Sequence, residues 1–273
     1  MKQIVSTLKF INDNFLYLFA FALAPAVTLI LNFDPAALLF LFNRLWQGGA
    51  AITLAEFHGA MGIAFAGRNF LLFVLAAAAS ILGASLIMSF CDRRMRIGIS
   101  SFTKPFAKLN ENIVAVTAVT LVLLALYELY FFLTSCIFAL IMLAGTAAAQ
   151  VLLPIFALLF LLLYLFIQTI FVQWIPLMMI PGNSLAEALA ISAKAVQGRL
   201  FSLLLGLVFP LLVTYPIMIL ARIFLNFLLL DFVICIVCYL FIFTYYCCYT
   251  MVTFFDATGR ERIDLKNPYR YGR

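Results

Sequence analysis

Between Ile113 and Ile180 the one charged residue is Glu128, in the sequence Leu126-Tyr127-Glu128-Leu129-Tyr130. A carboxylate inside so long an apolar run marks a functional position in a membrane helix by default, and its counter-ion is the first thing to look for. Counting along a helix from Ile113 places Glu128 about 22 Å up, near the depth expected for Arg222 at the end of a later apolar run. Glu128 and Arg222 are therefore the candidate polar intramembrane pair. Two readings of Glu128 stay open: a carboxylate reaching interfacial water beside two tyrosines, or a group used in transport or proton coupling. His58 is the sole histidine, and a metal or proton-relay role for it would need partners that the sequence does not name.

The six cysteines stand at 91, 136, 235, 238, 247 and 248. Cys235-x-x-Cys238 lacks the second ligand pair of a zinc site and lies in an apolar run, so packing as small apolar residues is the expectation. Gln150, Gln168 and Gln173 either line a polar path or hydrogen-bond between helices. Pro154, Pro176, Pro210 and Pro216 are placed to kink or interrupt helices, a device that transporters use and that membrane helices also tolerate. Polar segments carry no phosphate-binding glycine loop, metal-ligand cluster or nucleophile-base spacing. The expectation is a protein without catalytic residues, cofactor or metal. Arg93, Arg94 and Arg96, in Cys91-Asp92-Arg93-Arg94-Met95-Arg96, are the candidate contacts for anionic headgroups or a partner.

The elements that position these residues follow from composition. The chain has 273 residues, of which 67% are hydrophobic and 10% charged, against about 25% charged in soluble domains. Its net charge of +6 is spread over short stretches between apolar runs, which argues for topology signals and against a nucleic-acid partner. A bilayer core of about 30 Å needs roughly 20 apolar residues per helix. Six spans meet this requirement, at residues 15–33, 70–90, 113–143, 151–180, 200–223 and 232–255, with a short turn around Asn226 and Asp231 and a tail at 256–273. The break between the third and fourth is expected at Ala144-Gly145-Thr146. Continuous apolar runs exclude a transmembrane β-barrel, whose strands alternate. The first run continues past Ala22-Leu23-Ala24 to Leu31, longer than the apolar region of a signal peptide.

Orientation follows from the lysines and arginines. With the N-terminus in the cytoplasm, fourteen (Lys2, Lys9, Arg93, Arg94, Arg96, Lys104, Lys108, Lys194, Arg199, Arg260, Arg262, Lys266, Arg270 and Arg273) lie inside, and three (Arg44, Arg68 and Arg222) outside. The expected location is the cell (inner) membrane, multi-pass, with both termini cytoplasmic. Residues 34–69, the longest outer segment, read as two short helices: Leu38, Phe42, Leu45 and Trp46 share a face that suits the interface, with Trp46 at headgroup depth. A re-entrant loop is the rival reading. Ser184-x-x-Glu187 forms a capping box, and Leu185, Leu189, Val196 and Leu200 recur at helical spacing after it. Lys9 before Asn14-Phe15, Lys108 before Asn112-Ile113 and Lys194 before Arg199-Leu200 suggest one architecture repeated: three helical hairpins, each introduced by a cytoplasmic amphipathic helix. The fold class is thus all-α, a polytopic integral membrane protein with six transmembrane helices.

Two C-terminal segments carry a resemblance. Ile180-Pro181-Gly182-Asn183-Ser184-Leu185-Ala186-Glu187-Ala188-Leu189, continuing to Ser192 and Gly198, resembles the pattern before the penultimate span of a broad group of bacterial six-span membrane proteins. Phe255-Asp256-Ala257-Thr258-Gly259-Arg260-Glu261-Arg262-Ile263-Asp264-Leu265 is similar to the tail after their last span, with Thr258-Gly259 where Leu-Arg is usual. That group includes the membrane domain attached to some glycerophosphodiester phosphodiesterases. The resemblance covers the C-terminal third and implies a fold more than a chemistry. The functional expectation is a non-enzymatic membrane protein giving envelope- or lipid-related support, with the bilayer, anionic headgroups and a membrane or cytoplasmic protein as partners. The alternative is a small transporter or export permease using Glu128 and the proline-broken helices.

Overall fold

The computed structural model describes residues 2–47, 52–61, 70–98, 104–107, 109–180, 182–224 and 228–265. Long apolar runs have one way to satisfy their backbone groups without water, which is to bond within the segment, and the described residues are predominantly helical with no strand among them. In chain order the helices are α1 (Lys2–Asn32), α2 (Ala37–Trp46), α3 (Leu54–Met61), α4 (Phe70–Ile97), α5 (Lys104–Ala107), α6 (Leu109–Leu143), α7 (Thr146–Phe171), α8 (Trp174–Met178), α9 (Leu185–Val196), α10 (Leu200–Phe224) and α11 (Leu228–Thr258), followed by a 3-10 turn at Ile263–Leu265. Six stretches are long and apolar enough to cross a membrane: Phe15–Trp46, Phe70–Ile97, Asn112–Leu143, Thr146–Met178, Leu200–Phe224 and Leu229–Thr258. This is a multi-pass membrane architecture.

The first and last long helices, α1 and α11, pack most extensively on each other, and α4 and α10 close around them. Burial follows that order: 39% of the apolar window of the last stretch is covered, against 17% of the stretch containing α7. Leu158, Leu159, Leu161, Leu162 and Leu163 of α7 accordingly face outward. Exposed leucines in such number suit contact with lipid and would be a liability in water. Close approach of α1 and α4 depends on Gly83, where an added Cβ would sit 2.5 Å from Pro25 Cγ and 3.0 Å from the backbone oxygen of Phe21.

Several elements differ from the sequence reading. Span one is the distal part of a longer α1, which bends at Asn14 (φ −132°, ψ 20°), where the side-chain Nδ2 donates to the Phe10 carbonyl at 2.9 Å. The prolines are accommodated within helices at Pro154, Pro210 and Pro216, and the break in the fourth apolar stretch falls between α7 and α8, ahead of Pro176. Gly145, at φ +102°, separates α6 from α7. Residues of the segment after Asn32 form a second, smaller core: Leu45, Ile52 and Phe57 pack on Phe138 of α6 and on Ala149 and Leu153 of α7. Trp46 Nε1 donates to the Gln150 carbonyl at 3.1 Å, and Gln150 Nε2 returns a bond to Leu45 O at 3.0 Å. The indole is therefore held by α7 through a direct hydrogen bond.

The capping box at Ser184 is present: the Glu187 amide donates to Ser184 Oγ at 3.3 Å, and the Ser184 amide donates to the Glu187 carboxylate at 3.0 Å. On α9 the fully covered residues are Ala188, Ser192 and Val196, while Leu185 and Leu189 are half-buried. Small residues set that face because α9 lies close to α7, with Ser192 Oγ donating to Ile170 O at 2.6 Å. Trp174 Nε1 donates to Leu185 O at 2.9 Å, so the start of α9 is joined to a buried indole.

Two expectations follow. Gly83→Ala should lower stability by about 1–3 kcal/mol through overpacking, read as a fall in melting temperature of the detergent-solubilised chain. Gly59→Ala, where nothing lies within 4 Å of the added Cβ, should leave the melt unchanged or slightly raised. The second concerns pH. Bonds from the Ser184 amide and hydroxyl hold the Glu187 carboxyl below its ordinary range. A carboxyl whose folded value is depressed contributes stability above its unfolded value, near 4.3, and loses it as pH falls through the folded value. In a Trp46→Phe background, Trp174 emission should shift to the red as pH drops below about 4, and Glu187→Gln should remove this acid transition.

Candidate functional site

The polar groups of the long helices gather in three places. In the first, α3 lies against α6, and His58 Nε2 comes within 3.5 Å of Glu128 Oε2. Glu128 is buried, at 8% exposure. The ring of Phe132 meets the imidazole edge-on with centroids 6.1 Å apart, and Tyr127, Tyr130, Phe131 and Tyr164 form a contiguous aromatic group beside it. α3 is fixed here by a second capping box, in which Glu56 Oε2 accepts from the Thr53 amide at 2.8 Å and from Thr53 Oγ1 at 3.0 Å. Arg44 of α2 bonds the other Glu56 oxygen at 2.8 Å, and together these hold the Glu56 carboxyl below the usual carboxylate range. The histidine is thereby delivered to the carboxylate by a short, doubly anchored helix.

Arg222 does not pair with Glu128. Its guanidinium bonds Asp231 at 2.6 Å and lies 3.7 Å from Asp34. The reason is local: α11 begins at Leu228, ahead of the expected 232, so Asp231 lies in its first turn while Arg222 lies in the last turn of α10. Opposite charges then stand where each helix dipole favours them. Asp231, expected in the turn, is a buried residue of the helix, and Cys235 Sγ is 3.7 Å from its second oxygen.

The third gathering lies at the opposite end of the bundle. Arg262, in the tail, is buried, makes a two-armed bond to Asp264 at 3.2 and 2.7 Å, and reaches Ser6 Oγ at 2.8 Å. A small cavity of about 30 Å³ beside it is lined by Lys9, Asp13, Asn14 and Arg94 among others. A wider cleft of about 520 Å³ is lined by Lys2, Gln3, Arg199, Ser202 and Asp256. The expected basic triad is divided. Arg94 turns back onto the Gly98 carbonyl, Arg96 is exposed and bonds Asp92 at 2.8 Å, and Arg93 is half-buried.

Cys235 and Cys238 are free thiols on the buried side of α11, and among the described residues no group of three or more His, Cys, Asp or Glu could hold a metal ion. Gln150 and Gln173 both bond backbone carbonyls of other helices, Gln173 to Thr253 at 3.4 Å. Sequence reasoning missed the Thr53-x-x-Glu56 box, although it has the same spacing as the one at Ser184. It also missed the Cys91 and Cys248 sulfurs, which approach to 3.7 Å across 157 residues and leave no local signal. Comparison with protein-family models, curated proteins and solved structures found no match for this chain.

The Arg222 and Asp231 geometry predicts a non-additive pair. Removing the cation strands a buried carboxylate, at a cost of about 1–3 kcal/mol or more. Replacing both partners by apolar residues removes that penalty. Arg222→Met should lower the melting temperature, and Arg222→Met/Asp231→Leu should recover most of the loss in a double-mutant cycle.

Proposed function

We propose that this chain is a non-enzymatic, multi-pass protein of the cell (inner) membrane, with both termini cytoplasmic, that gives lipid- or envelope-related support by engaging anionic headgroups and a protein partner at its cationic end. The observation that carries this reading is where the clefts open. Both lie at the end where Lys2, Lys9, Arg94, Arg199 and Arg262 gather, and the positive-inside rule assigns that end to the cytoplasm. Consecutive long helices that pack together (α1 with α4, α6 with α7, α10 with α11) support the arrangement as three hairpins. The likeness of the Ile180 to Gly198 segment and the Phe255 to Leu265 tail to the six-span group containing the glycerophosphodiester phosphodiesterase membrane domain points in the same direction.

A second reading rests on one observation, the buried Glu128 with His58 at 3.5 Å. A carboxylate and an imidazole in contact inside an apolar helix pair are a proton-exchanging set, which a small transporter or export permease would use.

Two measurements separate these. Single cysteines at Gln47, Ala144, Ala186 and Lys194, in a chain whose native cysteines are replaced by alanine, report sidedness in intact cells. Labelling from outside at Gln47 and Ala144 alone fits the proposal; labelling at Ala186 or Lys194 instead reverses the orientation and removes the cytoplasmic cationic end. In liposomes containing a pH-sensitive dye, the support reading expects the same slow leak from the wild type and Glu128→Gln. A proton flux that Glu128→Gln abolishes would establish the transporter reading in its place.

A further inference from the structure

Four of the eight arginines among the described residues are already neutralised: Arg44 by Glu56, Arg96 by Asp92, Arg222 by Asp231 and Arg262 by Asp264. Lys2 and Arg199 differ. Neither makes an ion pair with a described residue, and both line the same open cleft of about 520 Å³ together with Gln3, Ser202 and Asp256. That volume lies within the roughly 300–1,000 Å³ of small-molecule sites. The neighbouring cavity beside Arg262, at about 30 Å³, has room for little more than a water molecule. Asp256, exposed in the same cleft, is the acceptor that a bound molecule can reach there. Val5 on α1 and Phe201 on α10, three residues after Lys2 and two after Arg199, are 65% and 70% exposed.

We infer that this cleft is a glycerophospholipid headgroup site, with the phosphodiester between Lys2 and Arg199, a terminal hydroxyl or ammonium of the headgroup donating to Asp256, and the acyl chains lying along Val5 and Phe201. Two cations alone would take any phosphate. The Asp256 carboxylate adds a requirement for a donor, which phosphatidylglycerol and phosphatidylethanolamine have and the quaternary ammonium of phosphatidylcholine lacks. Ser202 supplies a further hydroxyl at the start of α10, where backbone N–H groups also favour an anion. The site deepens the support reading and rests on its lipid-facing cationic end.

The test is native mass spectrometry of the purified full-length chain in detergent, with an equimolar mixture of phosphatidylglycerol, phosphatidylethanolamine and phosphatidylcholine. The wild type should retain the first two over the third. Lys2→Gln/Arg199→Gln should retain them roughly 30-fold less well, on the basis of about 1 kcal/mol per cation at a charged lipid. Lys194→Gln/Lys108→Gln, which removes the same charge from other positions, should retain lipid as the wild type does, and melting curves in phosphatidylcholine micelles verify that each variant folds. Retention by Lys2→Gln/Arg199→Gln equal to wild type overturns the site while leaving the lipid-related reading intact. Loss of all preference over phosphatidylcholine in the wild type overturns both. Displacement of the lipid by millimolar glycerol 3-phosphate would identify a soluble phosphate as the occupant and overturn the lipid assignment.

Discussion

Hydrocarbon offers no partner to a backbone N–H or C=O, and that constraint organises everything else in this chain. It forces each long apolar run into a helix, and it leaves side-chain packing, with no solvent-driven sorting between helix and lipid, to decide which helix lies inside. Small residues therefore set the architecture. Ala22 and Ala26 of α1 and Ala84 of α4 are buried in the main core, and Gly83 lets α4 approach the carbonyl of Phe21. With α1 and α11 in close contact, the two ends of the sequence meet, and the bond from Arg262 to Ser6 joins the tail to the first turns of the chain.

Charge is distributed by the same constraint. A buried ion costs several kcal/mol unless it is paired, and several of the described groups meet that cost in pairs drawn from different elements. Arg222 and Asp231 join the end of α10 to the first turn of α11, and Asp34 adds the end of α1 to the same cluster. Glu128 meets His58 from a segment some 70 residues earlier in sequence. Each pair fixes one helix against another where mispairing would be expensive, so the pairs specify arrangement.

The all-helical class and the six apolar helices were legible because length and composition alone carry them. Glu128 was legible as the one charge in a 68-residue run. Its partner was not, because the approach of α3 to α6 is a tertiary event, and His58 has no neighbour in sequence that announces it. The misassigned partner of Arg222 has a different cause. Asp231 stands at the edge of an apolar run, and such an edge reads as a turn, whereas Leu228, Leu229 and Leu230 extend the helix one turn earlier and carry the carboxylate inside it. Hydrophobic spacing predicted a leucine-led face for α9. The predicted Val196 is buried, but contact with α7 covers Ala188 and Ser192 more fully than Leu185 and Leu189, because close helix approach rewards small side chains over large ones.

The division of the basic residues shows why counting charge is a weaker guide than locating it. Arg93, Arg94 and Arg96 are the densest cationic run before the tail, yet Arg94 is spent on the Gly98 carbonyl at the end of α4 and Arg96 on Asp92. Both uses are local, since a helix C-terminus attracts cations and an i to i+4 carboxylate is within reach. Lys2 and Arg199 come from opposite ends of the sequence and look unremarkable there. Folding brings them to one cleft, where neither forms an ion pair with a described residue, and at a membrane surface such cations together with exposed hydrophobic side chains match the two-part chemistry of a phospholipid, anionic phosphate above and acyl chain below.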